Sequence, residues 1–205
     1  MNIQNTRAVV EPPRIARLPK DKRGYPVPYN VLRGRDGQPI FTVNDDQKAW
    51  RCVREERCPI CGGKLGRWRW CAGGPLSAFH PNGFYYDLPM HRDCVEYAMK
   101  VCPYLAMPKY LGGRLDAYSA ENAPENVALV DVTSIPERPE IFVALCGDTF
   151  ETRDRFPLTP LLRPMKPWHG WTFWRHGKEL NTYDALPYLQ NALGQDWQPP
   201  WESVK

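Results

Sequence analysis

The sequence predicts an α+β, loop-rich fold of short antiparallel hairpins and two to three helices. Stretches that alternate every second residue are interleaved with stretches of helical period. Twenty-two prolines and a mean hydropathy of −0.56 imply many turns and extended segments between them. Apolar residues form 42% of the 205, enough for a core. No internal repeat is visible.

In chain order, residues 1–24 show no helical stripe. The run "EPPRIARLPKDKRG" reads as a basic irregular arm. Next, Tyr29, Val31 and Arg33 alternate with Asn30 and Leu32, and Asp36-Gly37 is a strong hairpin turn signal. Strands are expected near 27–33 and 39–43. Asn44 is placed to cap a helix from about 45 to 56, with Asp45 and Asp46 against its dipole. Ala49, Trp50 and Val53 form its apolar stripe, Cys52 is a packed thiol within it, and the Cys58-Pro59 step ends it. Trp68 and Trp70 alternate with Arg67 and Arg69, which predicts a short strand with a tryptophan face and an arginine face. "LSAFHPNGFYYDLP" reads as strand, Pro-Asn-Gly turn, then extended chain.

"MHRDCVEYAMKVC" is the clearest helix, with Cys94, Ala98, Val101 and Leu105 in one stripe, and Pro103 holds its end at Cys102. Residues 111–140 are rich in Gly, Pro, Glu and Ser and read as a linker or long loop, with one short strand near 127–132. "EIFVALCG" is a buried strand, and "PWHGWTFWRHGKEL" a second strand and turn. "TYDALPYLQNALG" is a terminal helix begun by Asn181 or Thr182 and closed by Gly194, with Pro187 as an obstacle inside it.

The chemistry concentrates in four residues. Cys58 and Cys61 stand in "CPICGG", a spacing that lets both sulfurs face one point, while Gly62 and Gly63 supply permissive backbone angles. After 29 intervening residues, His91 and Cys94 follow with the same spacing in a first helical turn, on one face. Two N/S pairs at this spacing are the donor set of a structural Zn²⁺. The intervening segment has room for a hairpin. A knuckle, a hairpin and a helix carrying the last pair resembles a treble-clef zinc finger. Cys71, in the intervening segment, could replace one ligand but lacks a partner at the right spacing, and Cys102 could approach the metal only if the helix bends, so core packing is the expectation for it; His80 reads as a turn residue, and His169 and His176 as surface or interface groups. Seven cysteines, an odd number, read as reduced thiols and ligands rather than as a disulfide framework.

Charge is unevenly spread. Residues 1–72 hold 15 Lys/Arg against 7 Asp/Glu, and residues 73–205 hold 12 against 16. The basic half is a candidate footprint for nucleic acid. Arg67 and Arg69 beside Trp68 and Trp70, with Arg14, Arg17, Lys20, Lys22 and Arg23 in the arm, offer charge and stacking to single strands or RNA. The competing reading is that the tryptophans pack and the arginines are solvated. Trp168 and Trp171 offer an aromatic anchor for a host protein, or a small core.

No apolar run reaches the ~20 residues of a membrane span, and no signal-peptide core is present. A cytoplasmic setting is therefore expected, with no membrane partner and no evident small-molecule substrate. A zinc deaminase would need His-x-Glu before Pro-Cys-x2-Cys, which is missing. Phosphate-loop and nucleophile-elbow motifs are missing too. Only His80 and Asn82 would serve a degenerate treble-clef nuclease.

"LPKDKRGYPVP", "CPICGGKLG", "GGPLSAF", "LPMHRDCVEYAMKVCPYL" and "WTFWRHGKEL" occur in that order. Together they resemble an uncharacterised zinc-finger-like family of bacterial and bacteriophage proteins, most densely over 58–106. The resemblance implies that Cys58, Cys61, His91 and Cys94 occupy the ligand-like positions, and that the chain works in a bacterial host cell. Ser77 stands where that family often has cysteine, Tyr104 where it has phenylalanine, and Lys178 where it has arginine. No activity follows from the resemblance. The expected organisation is a basic arm (1–24), a zinc-binding domain (25–110), a linker (111–140) and a Trp-rich strand–helix segment packed on the core (141–205).

Overall fold

The computed structural model describes residues 9–108, 138–155 and 158–201. The expected linker strand near 127–132 lies outside them.

The apolar run "IFVALCG" has no polar face, so it needs cover on both sides. It receives it. Phe142–Gly147 (β4) is buried throughout and runs antiparallel between Arg69–Gly73 (β3) and Gly170–Arg175 (β7), with Lys178–Leu180 (β8) at the far edge. Phe142, Ala144 and Cys146 join Trp70, Ala72 and Trp174 on one face. There they meet Cys94, Val95 and Met99 of the helix Arg92–Val101 (α4). Val143, Leu145, Cys71 and Phe173 form the opposite face. It is covered by Ala78 of Pro75–Phe79 (α3) and by Ala185 and Leu189 of the terminal helix Thr182–Leu193 (α6). The result is a three-layer α+β arrangement, as the sequence predicts in class.

The flanking pieces are small. Val31–Arg33 (β1) and Pro39–Asn44 (β2) form the expected hairpin, turned at Gly37 with φ +76°. Phe150–Arg153 (β5) pairs with Leu161–Pro164 (β6), and Tyr85 bridges to Leu162. Asp46–Arg54 (α2) ties in through Thr159, whose N–H and hydroxyl both donate to Asp46 at 2.6 Å.

Four local expectations are corrected. The cap of α2 is Asp45, which accepts from Lys48 N–H, while Asn44 accepts from the Asn30 amide instead. "LSAF" is helix rather than strand: Pro75 sits in the first turn, where its missing N–H costs nothing. The arm is not irregular throughout, because Pro13–Ala16 (α1) form one helical turn and bury Ile15 completely. The segment between the ligand pairs is not a simple hairpin. Trp70 and Met90 do pair through two hydrogen bonds, at 2.9 and 2.7 Å, but α3 and the stretch around Tyr85 loop out between them. Within that excursion the predicted Pro-Asn-Gly turn forms, with Gly83 N–H donating to His80 at 2.8 Å. Gly83 is required there, since a Cβ would run into the Leu76 and Ser77 carbonyl oxygens.

The helix α4 ends at Val101, and Pro103 opens a further turn, Pro103–Ala106 (α5). Asn181 caps α6 by accepting from Asp184 N–H, and Gly194 closes it. Pro187 lies inside α6 and removes the donor for the Tyr183 carbonyl. That position is at the exposed helix start, where water can replace the bond.

Candidate metal centre

Cys58, Cys61, His91 and Cys94 come together, with their donor atoms all within 4.8 Å of one another. The knuckle forms because Cys58 N–H donates to Gly63 at 2.9 Å and Gly62 N–H donates to Cys58 at 2.8 Å. Gly62 has φ +71°, and a Cβ there would meet the Tyr29 ring at 2.9 Å. Tyr29 and Asn30 in turn donate their N–H groups to Ile60 and Pro59, which pins the knuckle to the N-terminal hairpin. On the other side, His91 is the N-cap of α4 and Cys94 lies in its first turn.

The fit to a metal can be tested on distances. A tetrahedron with Zn–S near 2.3 Å and Zn–N near 2.0 Å has edges of about 3.5–3.8 Å. His91 Nδ1 stands 3.3 Å from Cys61 Sγ and 4.0 Å from Cys94 Sγ. His91 Nε2 lies 2.9 Å from the Lys64 carbonyl oxygen. A carbonyl only accepts, so Nε2 carries the proton and the Nδ1 lone pair faces the sulfurs. This outer contact fixes the tautomer a metal ligand needs. No cysteine forms a disulfide. The residues fit a closed Cys3His metal site.

The thiols compete for protons. S–H donation from Cys58 and then Cys94 holds Cys61 down at about 2, as a thiolate. Burial pushes Cys58 up to about 11, and its two cysteine neighbours push Cys94 up as well. A cation among them removes this competition by stabilising all three thiolates together.

The other predicted site residues divide into groups. Trp68 is 47% exposed, with the Arg67 guanidinium 4.7 Å from its ring centre and the His169 ring at 4.1 Å. Asp148 joins this patch, 3.3 Å from both Arg67 and His169. Trp70 is buried in the core instead, with Arg92 5.5 Å from its ring centre. Arg69 is not part of a free arginine face, since it donates to Glu56 at 2.6 Å and to the Gly66 carbonyl at 3.1 Å.

Of the arm residues, Arg14 pairs with Asp93, Lys20 with Glu11 and Arg23 with Asp21, while Arg17 and Lys22 are exposed. Trp168 and Trp171 are half-buried in the second core cluster, against Phe79 and Trp201 respectively. Sequence reasoning did not place His169 and Asp148 beside Trp68, because only the β3–β4–β7 pairing brings them there.

Among the described residues, no helix is long and apolar enough to cross a membrane. No family model, curated protein or solved structure matches the chain.

Proposed function

We propose that the chain is a non-catalytic binding module organised by one structural Zn²⁺ in a treble-clef-type setting, and that it recognises nucleic acid. The observation that carries the metal half is the closed donor set. Cys58, Cys61, His91 and Cys94 provide four ligands, which is the full tetrahedral complement of a structural zinc and leaves no position for an activated water. A thiolate-rich, tetrahedral set favours zinc over harder cations. The reducing bacterial cytoplasm, where the resemblance to bacterial and bacteriophage proteins would put the chain, keeps such thiols available. When bound, the ion supplies folding free energy; the chain's own residues hold the knuckle and present α4.

The nucleic-acid half rests on the Arg67–Trp68–His169 patch at the edge of the sheet, beside a basic N-terminal half. An exposed indole flanked by a guanidinium is a stacking platform for unpaired bases. Arg17 and Lys22 add exposed charge in the arm.

The test is fluorescence anisotropy of the zinc-loaded chain with labelled single-stranded RNA and DNA at two salt concentrations. Binding should weaken steeply with salt, and Trp68→Ala should cost about tenfold by loss of stacking. Salt-independent binding, or wild-type affinity in both Trp68→Ala and Arg67→Ala, would overturn the nucleic-acid reading and leave the metal reading standing.

A further inference from the structure

A groove of about 670 Å³ lies on the far side of the β7–β8 turn, between that turn and the start of α6. Its size is that of a small-molecule cleft. The floor is apolar, with Leu180, Pro187 and the Tyr188 ring. Around it stand cationic and hydrogen-bonding groups with few internal partners. Arg175 lays its guanidinium 4.6 Å from the Tyr188 ring centre. Its Nη2 reaches Glu140 only at 3.5 Å, and its Nε is buried with no hydrogen-bond partner among the described residues. Lys178 is exposed and makes no ion pair among the described residues. Tyr183, in the first turn of α6, is 85% exposed.

We propose that this groove binds a planar, monoanionic or dianionic ligand of mononucleotide size: a phosphate monoester carried on a ring system. Arg175 and Lys178 take the phosphoryl oxygens, the first-turn amides of α6 add their dipole, and Tyr183 and Tyr188 face the ring. His176 contributes as a neutral hydrogen-bonding group. Burial, and then the positive charges of Arg175 and Arg138, keep it below the usual histidine range. The backbone holds it at the groove with φ +52°, followed by Gly177 at φ +74°, the paired positive angles of a tight hairpin turn. One carboxylate, Asp184, also lines the groove; it accepts from the Asn181 side chain at 2.8 Å, which draws it toward the helix cap. The site is separate from the Cys3His cluster and from the Trp68 patch, so it does not depend on the proposed function.

The test is NMR titration of the zinc-loaded full chain with adenosine 5′-monophosphate, following His176 and Tyr183. Saturable shifts are expected at these two residues. Lys178→Glu should weaken binding at least about tenfold, in line with loss of a charge-assisted bond, and Asp184→Asn should strengthen it. Adenosine should bind at least about tenfold more weakly for the same reason. A 5′-phosphorylated and a 5′-hydroxyl oligonucleotide distinguish a free nucleotide from a strand end. Preference for the phosphorylated strand over the free nucleotide assigns the groove to strand ends, and the reverse assigns it to nucleotides. No saturable shift at millimolar nucleotide, or equal affinities for wild type and Lys178→Glu, overturns the site. Lys178 is exposed, so the variant is expected to fold, and an unchanged thermal midpoint verifies this.

Discussion

The Arg14 guanidinium reaches the Asp93 carboxylate at 3.2 Å, and so spans from α1 to the helical turn that carries His91 and Cys94. Its Nη1 also lies beside Gly63 of the knuckle, 3.9 Å from where a Cβ would sit. Three thiolates around a divalent cation carry one net negative charge, and Arg14 is the cation standing next to it. Arg14→Ala should therefore loosen the metal while leaving the fold intact. Both partners are partly exposed, so the effect is about 1 kcal/mol or less, two- to fivefold in affinity. Competition with a chromophoric chelator measures it, and Arg14→Lys should recover most of the loss.

The metal itself should dominate stability. Freshly purified protein should hold one zinc per chain by elemental analysis. A strong chelator should lower the thermal midpoint by about 10 °C or more, because several kcal/mol are at stake and each is worth about 2–4 °C at this chain length. Cys61→Ser and His91→Ala should reproduce the chelated state without chelator. Superimposable melts with and without bound metal would remove the structural role.

Asp21 gives the arm a pH dependence. Burial raises its pKa, but N–H donation from Tyr25 and the bonds from Arg23 outweigh that and leave it below the usual carboxylate range. A depressed carboxylate stabilises the fold above its unfolded value of about 3.9. The contribution fades as pH falls through the lower folded value. The stability difference between wild type and Asp21→Ala should therefore be full at neutral pH and shrink below about pH 4. Denaturant melts across that range check the sign.

Tyr85 is buried, yet its hydroxyl has no hydrogen-bond partner among the described residues. An unpaired buried hydroxyl costs about 1–3 kcal/mol. Tyr85→Phe keeps the ring against Gly73 and removes the orphan. Its thermal midpoint should stay level or rise, whereas a drop would mean that the hydroxyl is satisfied in solution.

Much of this was readable from the residues. Ligand spacing alone brought Cys58, Cys61, His91 and Cys94 into one group, because a turn and a helix start are local structures with local signals. The run 140–147 announced a buried strand, and the Asn181 and Gly194 signals bounded α6 within a residue. The helix α3 was not legible. One turn is too short to show a period, and the apolar-polar-apolar order Leu76-Ser77-Ala78 reads as a strand's alternation, although in the helix Leu76 is exposed and Ala78 buried. The Trp68 patch was half legible. Its own two residues stood out, but Asp148 and His169 lie about eighty and a hundred positions beyond Trp68 and arrive through the β3–β4 and β4–β7 pairings, for which sequence carries no local cue. The Lys64 carbonyl behind His91 was hidden for the same reason, since backbone acceptors have no residue type.

The pairing of Arg69 with Gly147 sets an order of events during synthesis. Cys94 leaves the ribosome long before β4, so the four-ligand cluster is complete while β3 still lacks its neighbour on the sheet. At that stage Trp70, Cys94 and Met99 have no Phe142 or Trp174 to meet. A metal ion captured at that stage would keep the nascent N-terminal half compact and shielded from other chains until the central strand emerges to complete it.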